Sequence, residues 1–297
     1  MSALATVTRR TVRDPLAIAR YLIARALLHA LAIGFGVLLM VPFAWAAISS
    51  LKPVEEIRLL PPTFWPSRFA WSNYPDVWNS TMFAGWVQNT VVITVIAALG
   101  TVVSAACAGY AFARFRFPGR TVLFALTLST MMLPQEVTLI PQYLLYYLLG
   151  WLNTYLPLTV PFWLGGGAFF IFLFRQFFMT VPQDLDEAAK IDGASYFQIL
   201  GQIMLPLSLP VLATAGIISF INHWNSFIFP LIILNDPEKF TVSIGLRYFA
   251  VSPSSDAKPT DHLLLAGSIM MTIPIILLFF FGQRYFVRGV VMSGIKG

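Results

Sequence analysis

His29, His223, His262 and Cys107 are scattered through the chain, so no spacing in it suits a metal centre. No Gly-x-x-x-x-Gly-Lys-Ser/Thr run forms a phosphate loop, and no Gly-x-Ser-x-Gly elbow presents a nucleophile. What remains is binding chemistry, and three groups of residues could supply it. Asp184, Asp186, Glu187 and Asp192 form an acidic segment suited to charge-assisted contacts. Gln135 and Glu136 follow Pro134 inside an apolar run. A carboxylate at membrane depth is costly and a functional candidate by default. Equally, Pro134 could open the helix and leave Glu136 in a wet outer cavity without a specific task. Asn222, His223, Trp224, Asn225 and Ser226 combine an aromatic face with amide and hydroxyl groups. Those types suit a carbohydrate path, with Trp224 and Asn225 the better candidates. Helix–helix hydrogen bonding is the other reading, and for His223 and Ser226 it weighs at least as much.

The elements that must position these residues follow from composition. The chain is 58% hydrophobic and 11% charged. Soluble domains carry about 25% charged residues, so this is a membrane composition. Six apolar runs are expected to cross the bilayer, at about 26–50, 87–113, 121–145, 155–174, 207–234 and 262–286. Residues 1–25 precede them as a basic segment, and residues 26–297 form one all-α polytopic domain. Pro134 and Pro141 interrupt the third run and predict a kink there. Pro53, Pro61, Pro62 and Pro66 discourage regular structure in 51–86, whose tryptophans fit an interfacial belt. Gly165-Gly166-Gly167, in the fourth run, reads equally as a hinge or as a close-packing site.

Charge placement sets the orientation. With the N-terminus in the cytoplasm, alternation through six spans puts 13 of the 19 Lys and Arg residues inside. The positive-inside rule prefers this, so both termini and the 184–206 segment are expected in the cytoplasm. The net charge of +6 then reports membrane topology rather than nucleic-acid binding.

Residues 184–206 form the long polar segment between the spans, and two short helices are predicted in it. Asp184 with Glu187 has the spacing of a capping box, and Ser195 with Gln198 repeats it. Gly193 supplies the stop between them, and Pro206 closes the second helix. Tyr196, Ile199, Leu200 and Ile203 fall on one apolar stripe. Ala188 and Ala189 are small enough to let another surface approach. An amphipathic helix lying on lipid is the plainer reading, but the acids would be repelled by an anionic leaflet.

Glu187-Ala188-Ala189, three residues, Gly193, nine residues and Ile203-x-Leu205-Pro206 resemble the EAA loop of ABC-importer permeases. The flanks are similar to the carbohydrate-uptake branch, of the maltose-permease G-subunit type. The similar pieces are Leu133-Pro134-Gln135-Glu136, Leu152-Asn153-Thr154-Tyr155, 173–178, Trp224-Asn225, Pro230-Leu231, 235–239 and the end Gly294-Ile295-Lys296-Gly297. The resemblance implies a prokaryotic inner-membrane permease subunit without catalysis of its own. It implies two cytoplasmic ATP-binding partners that hold the ATP and magnesium, a second permease in a heterodimer, and an extracytoplasmic solute-binding protein. Glu187, Ala188, Ala189, Asp192, Gly193, Ile203, Leu205 and Pro206 would couple this chain to the ATPase. The tail 287–297 would reach the ATPase interface, or end as a frayed terminus. A glycerol phosphate, phosphate or peptide permease is the alternative within transport. A secondary transporter would need charged relays in several spans, and only Glu136 qualifies.

Overall fold

The computed structural model describes residues 15–80, 82–251 and 261–294. They fall into two compact units, one ending at Ala70 and one beginning at Trp71. All regular structure among the described residues is helical. That suits a chain whose backbone groups must be satisfied internally in lipid.

In the first unit a single helix, α1, runs from Pro15 to Ser50. Its membrane-compatible part, Ala19–Ser50, starts before the expected residue 26. Nothing between 19 and 26 breaks a helix, and Arg25 folds back over the Tyr21 ring one turn earlier. After α1 the chain doubles back, and the Ala70 N–H donates to the Leu51 carbonyl at 2.8 Å. Lys52 lies 4.5 Å over the Trp45 ring, whose edge meets Phe64. The Ser67 hydroxyl and N–H both donate to Glu56 and hold its carboxyl below the usual carboxylate range.

The second unit is built around α2, Phe83–Arg114. It starts four residues before the expected span and packs most heavily against Ala168–Thr180. Its inner face is small: Ala97, Ala98, Gly100, Thr101, Ala105, Ala106 and Gly109 are buried. Small residues let membrane helices approach closely. A Cβ on Gly109 would lie 2.7 Å from Phe174 Cβ and 3.0 Å from the Arg175 N, so the contact tolerates no side chain.

Helix α3, Arg120–Ser129, continues as a 3-10 turn to Met132, and α4 covers Gln135–Leu148. The two meet at 103°, so the third apolar run is a sharply bent pair rather than one rod. Pro134 lacks an N–H and imposes an extended Leu133, which fixes the bend at the predicted place. Pro141 lies within α4 without ending it.

The fourth run spans Leu156–Thr180 and outlasts the expected end at 174. It breaks at Gly166 and Gly167, with φ of 55° and 83°, and resumes as α5, Ala168–Thr180. A Cβ on Gly166 would sit 2.6 Å from the Thr101 carbonyl oxygen and 2.7 Å from the Ala105 N. Gly166 is therefore a close-packing site against α2. Helix α6 covers Asp184–Ile191, and α7 covers Leu209–Trp224. The expected fifth span, 207–234, is α7, a break at 225–227 and the short helix Ile228–Ile233. The last helix, α8, runs from Asp261 to Gly294, of which Asp261–Gln283 is membrane-compatible. Most of the tail beyond 287 is thus helical, and residues 295–297 lie outside the described residues. Among the described residues, four helices are long and apolar enough to cross a membrane, or up to six if each bent pair counts as one span.

The short segments correct one further expectation. Despite its prolines, 51–86 forms helices at Val54–Ile57 and Asn73–Ser80. Pro75 sits in the first turn of the latter, where a missing N–H costs little. The segment after Ile233 is clamped to α2 by hydrogen bonds. Trp86 Nε1 donates to the Pro237 carbonyl at 2.8 Å, and Asn89 Nδ2 donates to Glu238 and Phe240 at 2.8 and 3.0 Å. From the other side Asn153 Oδ1 accepts from the Asn235 and Asp236 N–H groups.

Candidate functional site

Helix α6 begins without a side-chain cap. Its N-cap is Gln183 rather than Asp184, and Gln183 is already helical at φ −70° and ψ −26°. The Gln183 carbonyl accepts from the Asp186 and Glu187 N–H groups at 2.9 and 3.1 Å. The predicted Asp184–Glu187 box is therefore absent. The three acids in the first turn still favour the helix through its dipole. The far end is as expected. Gly193 takes φ +82°, its N–H donates to the Lys190 carbonyl, and the Ala194 N–H reaches the Ala189 carbonyl. These two bonds are a Schellman stop.

The second box forms. Ser195 caps Tyr196–Gln198 and exchanges bonds with Gln198. Beyond it, Ile199–Met204 widens into a π-helix, and the chain stays helical to Leu207. Pro206 therefore does not end the helix. The turn comes at Ser208, with an 85° bend into α7. A π-turn ahead of the proline loosens the ladder that its ring would otherwise clash with.

Two faces result. The inner face holds Asp186, Ala189, Ile199, Leu200 and Met204, all buried. Tyr196 is exposed and Ile203 only half-buried, so the predicted stripe turns to centre on 199, 200 and 204. This face joins one core with Ala105, Ala106 and Tyr110 of α2, Phe170, Phe174 and Phe178 of α5, and Val211 and Ala215 of α7. The outer face holds Asp184, Glu187, Ala188, Asp192 and Gly193, all exposed. Ile191 and Phe197 stand with them at 87% and 84% exposure. The two alanines thus divide the work. Ala189 lets the helix seat on the bundle, and Ala188 faces outward.

An ion pair roots the segment. Arg114 Nε lies 2.7 Å from Asp186 Oδ2, with both side chains 5% exposed. Arg114 also donates from Nη2 to the Val181 carbonyl at 2.8 Å. Asp186 Oδ1 and the Tyr110 hydroxyl are buried nearby without hydrogen-bond partners among the described residues. Aromatic contacts run beside the pair, from Tyr196 to Phe115 at 4.7 Å, Phe115 to Tyr110 at 5.6 Å and Tyr110 to Phe178 at 5.9 Å. The 184–206 segment is therefore in direct contact with α2 and α5. Sequence reasoning missed Arg114 and Asp186 as a pair, and missed Ile191 and Phe197. For Ile191 the available signal was an apolar residue set between Glu187 and Asp192; Phe197 had no such signal.

The structure does not bring the four expected path residues together. Gln135 and Glu136 are exposed in the first turn of α4, at the bend. Trp224 is buried, stacks on Phe220 and donates Nε1–H to the Met271 carbonyl of α8 at 3.1 Å. Asn225 is exposed at the end of α7. His223 contacts Thr101 Oγ1 at 3.4 Å and the Phe162 ring at 4.3 Å, which is the helix–helix role. His223 and Ser226 also line a cavity of about 30 Å³ with Thr90, Thr94 and Thr241. It has room for one or two waters, far below the ~300–1,000 Å³ of small-molecule sites. No cluster among the described residues could hold a metal.

A bent helical bundle with a polar, outward-facing double helix rooted in two of its spans is the build of a membrane permease. The chain belongs to the family of binding-protein-dependent transport system inner membrane components, whose model matches residues 100–292. It is 33% identical to the arabinooligosaccharides transport system permease protein AraQ of Halalkalibacterium halodurans, over 90% of this chain and 96% of that protein. It is 35% identical to the sn-glycerol-3-phosphate transport system permease protein UgpE of Pectobacterium atrosepticum, over 80% of this chain and 86% of that one. Its fold matches a chain of a bacterial ABC transporter involved in the import of the acidic polysaccharide alginate. The TM-score is 0.78 at 24% identity, covering 89% of this chain and 96% of that one.

Proposed function

We propose that this chain is one permease subunit of an ATP-driven importer for a sugar or oligosaccharide. The observation that carries the reading is the two-faced 184–206 segment. It offers Glu187, Ala188, Ile191, Asp192 and Phe197 outward while Asp186 and Ala189 hold it to α2 and α5. ATP and magnesium belong to two separate cytoplasmic subunits that receive this face. Their closure moves the segment, and the segment moves the bundle. Energy enters as the partners' different affinities for the two states of the bundle, with no chemistry in this chain.

Both termini and the segment lie in the cytoplasm on this reading, in line with the basic-residue asymmetry. A solute-binding protein delivers substrate on the opposite side. A second, different permease completes the pore and carries much of the substrate contact. Asn225, Trp224, Gln135 and Glu136 remain candidates for the path in another state of the cycle. AraQ's substrate class supports the sugar reading. UgpE supports sn-glycerol-3-phosphate as the second.

The test is ATPase activity of the reconstituted complex with its binding protein and a panel of arabino- and gluco-oligosaccharides and sn-glycerol-3-phosphate. Stimulation by one oligosaccharide supports the proposal. Stimulation by sn-glycerol-3-phosphate alone selects the second reading. No stimulation by any of these compounds counts against both.

A further inference from the structure

Between α2 and α3 the chain turns through Phe115–Gly119 and leaves an open cleft of about 420 Å³. Arg116, Phe117, Gly119, Arg120, Thr121 and Val122 line it. Neither Arg116 nor Arg120 has a carboxylate partner among the described residues; the nearby acid, Asp186, is taken by Arg114. Arg120 is held in place by a bond from Nη1 to the Phe115 carbonyl at 3.0 Å. A third cation neighbours Arg120, outside the cleft's own lining. Arg175 lies 4.2 Å over the Phe124 ring, one turn along α3 from Arg120. Its Nε is buried without a hydrogen-bond partner, and its like-charged neighbour is Arg120. Three arginines gathered without an acid repel one another unless an anion joins them.

The cleft also has a helix start in it. Gly119, at φ +81°, precedes α3 and gives it no side-chain cap. The first-turn N–H groups at Thr121 and Val122 therefore face the cleft region without a side-chain acceptor, and such groups favour anions. Directly along α3 the surface becomes apolar, with Val122, Leu123 and Leu126 exposed. A charged head at the arginines would thus have acyl chains beside this stripe. That continuity separates an amphiphile from a simple anion.

We infer that Arg116, Arg120 and Arg175, with the start of α3, form a binding site for the phosphate headgroup of an anionic phospholipid, whose chains lie along Val122, Leu123 and Leu126. The inference rests on the orientation given above, which places this turn at the inner leaflet. Basic pockets between spans on that side take such headgroups, and each arginine near the surface contributes about fivefold in affinity.

The test uses the whole complex in nanodiscs of phosphatidylcholine with phosphatidylglycerol, and native mass spectrometry to count retained phosphatidylglycerol. Arg116→Gln should lower retention about fivefold, Arg116→Gln with Arg120→Gln about 25-fold, and Arg116→Lys much less. Arg116 is exposed, so the single variant keeps the test valid if loss of the Arg120–Phe115 bond unfolds the double one. Equal retention in wild type and Arg116→Gln overturns the proposal. Displacement of phosphatidylglycerol by millimolar inorganic phosphate, or phosphate binding with no lipid enrichment, overturns it in favour of a free-anion site. Loss of the ATPase subunits with unchanged lipid overturns it in favour of a protein docking surface. A wild-type complex with substrate-stimulated ATPase but no retained phosphatidylglycerol rejects the lipid site and leaves the transport reading standing.

Discussion

Arg114 and Asp186 meet at 2.7 Å in a buried ion pair that ties the end of α2 to the first turn of α6. The two residues are 72 positions apart, and each belongs to a different helix. Removing one partner of such a pair strands a buried charge at about 3–5 kcal/mol, while replacing both by apolar groups can be nearly neutral. Asp186→Ala should therefore lower the melting temperature of the purified complex strongly. Arg114→Leu with Asp186→Leu should recover much of it, short of the lost bond to the Val181 carbonyl. A double variant as unstable as the single one would show that the charges are not the tie.

The outer face should behave differently. Glu187, Ile191 and Phe197 are exposed and support no core. Ile191→Ser with Phe197→Ala should leave the chain's unfolding free energy within about 0.5 kcal/mol of wild type. The same variant should lose ATPase subunits on purification, since buried aromatic and aliphatic anchors carry most interface energy. Retention of the subunits in stoichiometric amount would place the docking surface elsewhere.

Gly193 separates backbone cost from contact cost. A Cβ there meets nothing within 4 Å, so Gly193→Ala is opposed only by φ +82°. The expected loss is about 1–2 kcal/mol, and less for Gly193→Asn, which tolerates that conformation. Chemical denaturation of both variants checks the order. An Asn variant worse than Ala would mean the partner, rather than φ, sets the preference.

The 235–242 strap depends on Asn153, which takes φ +56° and accepts two backbone N–H groups through Oδ1. Asn153→Gly relieves the backbone but leaves both N–H groups unanswered, and Asn153→Ala adds the strain. We expect losses of about 1–3 kcal/mol for Gly and more for Ala. Proteolysis within 235–251 should accelerate in the same order.

Much of this was legible because it is local. The Ser195–Gln198 box, the Gly193 stop and the Pro134 bend each depend on residues within five positions of one another. The Asp184 box failed because Gln183 was already helical, which frees Asp186 to face Arg114 and leaves Glu187 outward. That pairing could not be read, because no local pattern links position 114 to 186. The π-turn at 199–204 was hidden too, since it lets Pro206 sit inside a helix that its ring would ordinarily end. The packing role of Gly166 was likewise hidden, since the Thr101 and Ala105 backbone it meets lies more than 60 positions away.

The most direct test of the coupling role is ATPase activity of the reconstituted complex with substrate-loaded binding protein, comparing wild type with Glu187→Ala carrying Phe197→Ala. The account predicts a folded variant whose stimulation by loaded binding protein falls at least tenfold. Stimulation and transport equal to wild type would contradict it, and would remove the 184–206 segment as the route from ATP to the bundle.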